Sequence, residues 1–191
     1  RMTQPNPSLT DPQSLSNSIV IPHNYLPRPY QLPFWQTMET GKIKNAVMVW
    51  HRRSGKDKTA LNFLISKMYP ENGGRIGTYF HLFPTYAQGK KVIWDGIDKR
   101  GFKVRDHFPP SEVKRTNDTE MQVELRNGSI YQVIGTDKID SIVGTNPVGC
   151  IYSEFALQNP RAYDMLSPIL LENEGWNIFN FTPRGHNHAE G

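Results

Sequence analysis

A mainly parallel α/β sheet with helices on both faces is the fold class the sequence predicts. Short apolar runs alternate along the chain with segments of helical periodicity, the pattern of strand–crossover–strand units. The runs are apolar throughout rather than alternating, as strands covered on both faces must be. A glycine–lysine loop also stands between one such run and the helix that follows it.

Taken in order, residues 1–24 are rich in Pro, Ser, Asn and Gln and predict an extended arm, leaving 25–191 as the folded domain. The Pro-punctuated stretch YLPRPYQLPFWQTMETG leads into a helix ending near Gly41. Lys44–Trp50 is a short apolar run with β-branched residues and predicts a buried strand. Asp57–Tyr69 carries Ala60, Leu61, Leu64, Ile65 and Met68 at helical spacing, and Pro70 closes it. Ile76–Phe83 predicts a strand and Ala87–Lys99 a helix. Met121–Ile134 reads as two alternating runs joined by Asn127–Gly128, a hairpin signal. Val148–Tyr152 predicts a buried strand, Arg161–Leu171 a helix and Trp176–Phe181 a last strand. No closing helix follows that strand, which predicts a domain cut from a longer protein.

Composition narrows the classes. The 191 residues suit one domain, and 37% apolar with 21% charged residues excludes disorder as the main state. No run approaches the roughly 18 apolar residues of a membrane span, and the N-terminus lacks an apolar signal core. The single cysteine, Cys150, excludes an internal disulfide and reads as a small buried hydrophobe. A net charge of +4 permits a polyanionic partner without requiring one.

The most informative segment is His51–Thr59, HRRSGKDKT, between a strand and a helix. Such a loop aims backbone N–H groups at the helix N-terminus, where unpaired donors and the helix dipole bind phosphate. Ser54 and Gly55 form the loop, Gly55 allows close backbone approach, and Lys56 can reach β- and γ-phosphates. The fit to G-x-x-x-x-G-K-[ST] is incomplete: Trp50 takes the first Gly position and Asp57 replaces the Mg²⁺-holding hydroxyl. Asp57 could ligate Mg²⁺ by its carboxylate, or Thr59 could supply a hydroxyl from the first turn. Arg52 and Arg53 stand where a guanidinium could bind the γ-phosphate; the bland alternative is a solvated or DNA-facing basic patch. The alternative for Gly55-Lys56 is a plain strand–helix turn with Asp57 as cap.

VGCIYSEFA places Ser153 and Glu154 at the C-terminal end of a buried strand, the end that faces the ligand crevice in open α/β sheets. Glu154 there can deprotonate the water that attacks the γ-phosphorus, and Ser153 can hold Mg²⁺ through water.

With these residues in view, the chain resembles the ATPase domain of the large terminase subunit of tailed bacteriophages, from about Leu26 to His188. The matching elements come in order: PRPYQ (Pro27–Gln31), WHRRSGKDKTALN, FPTYAQGKKVIW (Phe83–Trp94), IYSEFA and FTPRG (Phe181–Gly185). The resemblance implies a RecA-like P-loop NTPase fold of the ASCE class. It implies an adenine-side motif with Tyr30 stacking and Gln31 reading the base, a nucleotide loop spanning Ser54–Thr59 with Lys58 in it, and a coupling residue, Thr182. It further implies Mg²⁺-dependent ATP hydrolysis that drives double-stranded DNA into a procapsid. The implied setting is a ring of subunits on the portal, with a small terminase subunit as partner, no membrane, and the host cytoplasm as location. Family members carry a second, nuclease domain; nothing after Gly191 carries it, so no nuclease activity is expected. Other readings of the same residues are a different P-loop translocase or helicase, or a non-catalytic nucleotide- or DNA-binding module.

The remaining polar residues favour ordinary roles. Asp137, Asp140, Glu172 and Glu174 read as solvated charges, and His81 and His107 form no metal-ligand pair. His186 and His188 read as loop residues. Lys90, Lys91, Lys99, Arg100, Lys103 and Arg105 make a basic run that is either solvated or a DNA contact. Trp35, Trp50, Trp94 and Trp176 read as core.

Overall fold

The computed structural model describes residues 20–183. A seven-stranded sheet in the order β1-β7-β6-β2-β5-β4-β3 forms its centre. The strands are β1 (Asn45–Val49), β2 (Thr78–Phe83), β3 (Val113–Asn117), β4 (Gln122–Leu125), β5 (Ile130–Gly135), β6 (Pro147–Ser153) and β7 (Trp176–Phe181). From β1 across to β5 every pairing is parallel, and β4 and β3 add an antiparallel end. The helices are α1 (Leu32–Glu39), α2 (Lys56–Lys67), α3 (Tyr86–Gly89) and α4 (Arg161–Glu172). The expected α/β class, a mainly parallel sheet with helices on both faces, is the one observed.

Alternation along the strands sorts the core into two layers. Tyr79 and Phe83 of β2, Ile151 of β6 and Ile178 of β7 face α1 and α2, where Trp35, Met38, Leu61, Phe63, Leu64 and Ile65 wait. Phe80 and Leu82, Cys150 and Tyr152, and Phe179 face the other way, onto Ala162, Leu166 and Leu170 of α4. Continuous apolar strands are therefore explained by helices on both faces. Trp35 and Trp94 are buried, and Trp50 and Trp176 pack partly buried against the same cluster.

Some local expectations need correction. Among the described residues β1 is an edge strand paired only with β7, and Val47 and Val49 are 59% and 51% exposed rather than buried. An apolar β-branched run reads the same at an edge as at the centre, which is why its sequence suggested burial. The helix expected over 87–99 starts at Tyr86 and stops at Trp94, because its last turn widens: Asp95 N–H donates to Lys90 carbonyl across 2.8 Å. β3 (VKRTN) carries no apolar alternation, so its sequence does not mark it as a strand. The hairpin is as expected, with Gly128 in the left-handed region at φ +96°.

His107 is buried, and desolvation pushes its imidazole down to about 4, below the ordinary 6.5. His81, fully buried, is pushed down to about 3 by the same cause. Each stays neutral when folded but takes a proton when unfolded. Stability from these two groups is thus present above pH 6.5 and lost as pH falls toward the folded values. Each contributes a slope of at most about 1.4 kcal/mol per pH unit. Urea unfolding at pH 7 and pH 5 should show lower stability at pH 5, and His107→Phe should flatten the difference.

Candidate functional site

The parallel register brings the C-terminal ends of β1, β7 and β6 side by side: Val49 pairs with Phe181, and Asn180 with Ser153. Each of these ends delivers site residues. From β1 the chain passes through Trp50 into the loop 51–55; Arg53 takes a left-handed φ of +62° and Gly55 one of +81°. An added Cβ on Gly55 would lie 3.2 Å from Gln31 Nε2, so a side chain there is strained and crowded. Helix α2 then opens at Lys56, with Asp57 in its first turn, where a carboxylate is favoured by the helix dipole. The N–H groups of that first turn have no partner within the helix.

Lys56, Glu154 and Thr182 come together. Lys56 Nζ donates to Thr182 Oγ1 at 2.9 Å and lies 3.5 Å from Glu154 Oε1; Thr182 Oγ1 donates to the same Glu154 oxygen at 3.3 Å. Lys56 is buried and Glu154 is partly exposed. Glu154 itself adopts a left-handed φ of +52°, a costly conformation for a non-glycine residue. Gln158 braces that corner, donating from Nε2 to the carbonyls of Leu82 and Ser153 at 2.9 and 2.8 Å. Strain held in place by buried hydrogen bonds is usual where a side chain must be aimed.

Asp57 and Ser153 also meet. The Ser153 hydroxyl donates to Asp57 Oδ1, as does Asn180 Nδ2 at 3.2 Å. Thr59, the alternative hydroxyl, is buried and pairs with the Tyr25 hydroxyl 2.9 Å away, so Asp57 is the one that lies against Ser153. Among the described residues no His, Cys, Asp or Glu side chains form a metal cage of their own. A Mg²⁺ held partly by phosphate oxygens needs only one or two protein ligands, and the Asp57–Ser153 pair beside the loop 51–55 fits that donor set.

Tyr30 and Gln31 reach the loop rather than standing apart from it. Both donate to the Ser54 carbonyl, the Tyr30 hydroxyl at 2.6 Å and Gln31 Nε2 at 3.0 Å. Gln31 Oε1 accepts from Arg28 N–H and from Tyr25 hydroxyl at 2.9 and 3.0 Å. Trp50, in the place of the usual first glycine, packs edge-on against Tyr30 and Phe34. It seats the loop on this N-terminal segment. A small pocket opens beside it, lined by Asn24, Tyr25, Leu26, Arg28, Gln31, Gly55 and Lys58. Lys58 Nζ lies 5.1 Å above the Phe102 ring.

Arg52 and Arg53 are exposed, and their guanidiniums make no hydrogen bond or ion pair among the described residues. In the basic run, Arg105 pairs with Asp118 at 3.2 Å and stacks on Trp94, and Lys90 pairs with Asp95. Asp137, Asp140, Glu172 and Glu174 are exposed as expected, and Asp137 also accepts from Tyr86 N–H. Arg184, Gly185, His186 and His188 lie outside the described residues. Sequence reasoning missed Tyr25, Asn180 and Gln158. Asn180 carried a signal: a polar residue in an otherwise apolar, doubly covered strand.

Solved structures match this fold. The Thermus phage P74-26 large terminase ATPase domain aligns with 88% of this chain and 72% of its own, at a TM-score of 0.65 and 20% identity. The fold is that of a large terminase ATPase domain. A second match is the large terminase of a thermophilic bacteriophage in complex with ADP, at a TM-score of 0.57 and 14% identity. It covers 81% of this chain and 38% of that one. No family model matches the sequence, and no curated protein matches it.

Proposed function

We propose that this chain is the ATPase domain of a viral DNA-packaging motor, hydrolysing ATP to move double-stranded DNA into a procapsid. The observation that carries this reading is the Lys56–Glu154–Thr182 cluster, assembled from three different strand ends at the phosphate loop. The terminase fold and the ADP complex of one such protein support it.

In this reading the N–H groups at the start of α2, with Ser54 and Gly55, cradle the phosphates. Lys56 leaves Glu154 for the β- and γ-phosphates. Glu154, so released, accepts a proton from the water whose oxygen attacks the γ-phosphorus, as the bond to the bridging oxygen breaks and ADP leaves. Mg²⁺, held by Asp57 with Ser153, would offset the charge on the β- and γ-phosphates. Thr182, bonded to both Lys56 and Glu154, is placed to register γ-phosphate loss and pass it to β7. Tyr30 and Gln31 border the base side and brace the loop at Ser54. Arg52 or Arg53 would stabilise the transition state, in its own subunit or across a ring. The portal and procapsid, a small terminase subunit and further copies of the chain are the partners in this reading, in the cytoplasm of the infected host. Among the described residues no helix is long and apolar enough to cross a membrane.

Steady-state phosphate release with Mg²⁺, with and without duplex DNA, tests the proposal. The expected result is Mg²⁺-dependent turnover of ATP that rises with DNA. Nucleotide binding with no turnover, even at high chain concentration, would favour a non-catalytic module.

A further inference from the structure

Around Asp57 lies a polar cluster whose buried members His81, Asn180 and Tyr131 have no role in the steps above. Asp57 Oδ1 accepts from Ser153 and, at 3.2 Å, from Asn180 Nδ2. His81 Nε2 lies 4.0 Å from that same oxygen, and His81 Nδ1 lies 3.0 Å from the Tyr131 hydroxyl. His81, Asn180 and Tyr131 have no exposed surface, and they come from β2, β7 and β5. His81 Nε2 has no hydrogen-bond partner among the described residues.

Several features give this cluster a direction. A carboxylate only accepts hydrogen bonds, so a ring nitrogen facing it favours the tautomer with its proton on Nε2. Nδ1 is then an acceptor, and the Tyr131 hydroxyl is placed to donate to it, fixing that tautomer. All the protein groups gather on Oδ1; among the described residues nothing hydrogen-bonds to Oδ2, and the Asp57 side chain is 26% exposed. Those groups are a hydroxyl, an amide and an imidazole. By contrast Glu154 has the ammonium of Lys56 beside it. The usual arrangement places a hydroxyl after the loop lysine. Here the carboxylate stands on the helix and a hydroxyl on the strand, in direct contact.

We propose that Asn180, by its hydrogen bond, and His81, whose ring N–H faces Oδ1 in a tautomer fixed by Tyr131, are positioning residues that keep Asp57 oriented by Oδ1 so that Oδ2 serves the divalent cation of a metal–nucleotide complex. The inference rests on the nucleotide-site reading above. Groups that orient a metal ligand typically change metal affinity by about 10–100-fold when removed.

The test is equilibrium binding of a fluorescent, non-hydrolysable ATP analogue, titrated with Mg²⁺ from a metal-free start. In the wild type, Mg²⁺ tightens binding. In Asp57→Asn the tightening is lost. In Asn180→Ala and Tyr131→Phe the Mg²⁺ midpoint rises by about 10-fold or more, while affinity for metal-free analogue stays at the wild-type value. Tyr131→Phe keeps the ring in the core, so it reports even if Asn180→Ala fails to fold. A Mg²⁺ midpoint unmoved in Tyr131→Phe, or tightening that survives Asp57→Asn, overturns the proposal and leaves the nucleotide site standing. So does a parallel loss of metal-free affinity, which marks a merely structural role. A wild type that binds no analogue with or without Mg²⁺ overturns the nucleotide site itself.

Discussion

Glu154→Gln is expected to slow ATP hydrolysis by about 10²–10⁴-fold while leaving ATP binding at or above the wild-type level. The range is that of losing one positioned general base. The substitution keeps the shape of the side chain and its left-handed backbone at φ +52°, so the corner braced by Gln158 should persist. It removes the proton acceptor and also the negative partner of Lys56, 3.5 Å away. An ammonium no longer paired with Glu154 is freer to meet phosphate, which is why binding should not suffer. Single-turnover phosphate release alongside nucleotide titration separates the two effects. Turnover at the wild-type rate in this variant would remove Glu154 from the chemistry.

The second large effect belongs to the core. Phe63→Ala should cost about 3–5 kcal/mol, in line with truncating a buried aromatic side chain. Phe63 lies on α2, two turns behind the phosphate loop, and its ring meets Trp35, Phe34 and Trp176 edge-on, each at a centroid distance of 5.5 Å. Lys67 Nζ lies 5.3 Å over the same ring. The residue therefore ties α1, α2 and the start of β7 together, and its loss leaves a cavity that no single neighbour can fill. A cost of this size is a large share of the stability of an ordinary domain, about 5–15 kcal/mol. Urea unfolding should show the midpoint falling with little change in slope; an unchanged midpoint would mean that the aromatic cluster does not hold the helix to the sheet.

Much of this was legible in the sequence, and the exceptions have physical reasons. The closeness of Lys56 and Glu154 could be read because each follows an apolar run, and the ends of parallel strands face a common crevice. Thr182 came from likeness alone, and the structure puts it on both of them. The bracing by Tyr25, 34 residues from Thr59 in sequence, had no local signature because nothing in a helical or strand period records a distant hydroxyl. His81 and Asn180 were visible only as polar interruptions of apolar strands, and their shared partner, Asp57, emerges only once β2, β6 and β7 are placed side by side. Trp50 reads as a departure from the loop pattern in sequence; its edge-on contacts with Tyr30 and Phe34 seat the loop 51–55 on the N-terminal segment. The edge position of β1 was hidden because hydrophobicity records burial of faces and not the order of strands.

The most direct test of the central claim is calorimetric titration of ATP with Mg²⁺ into the wild-type chain and into Lys56→Ala. Saturable binding at one site per chain, lost or severely weakened in Lys56→Ala, is the predicted result. No binding by the wild type, or equal binding by the variant, would contradict the assignment of Ser54–Thr59 as the phosphate loop.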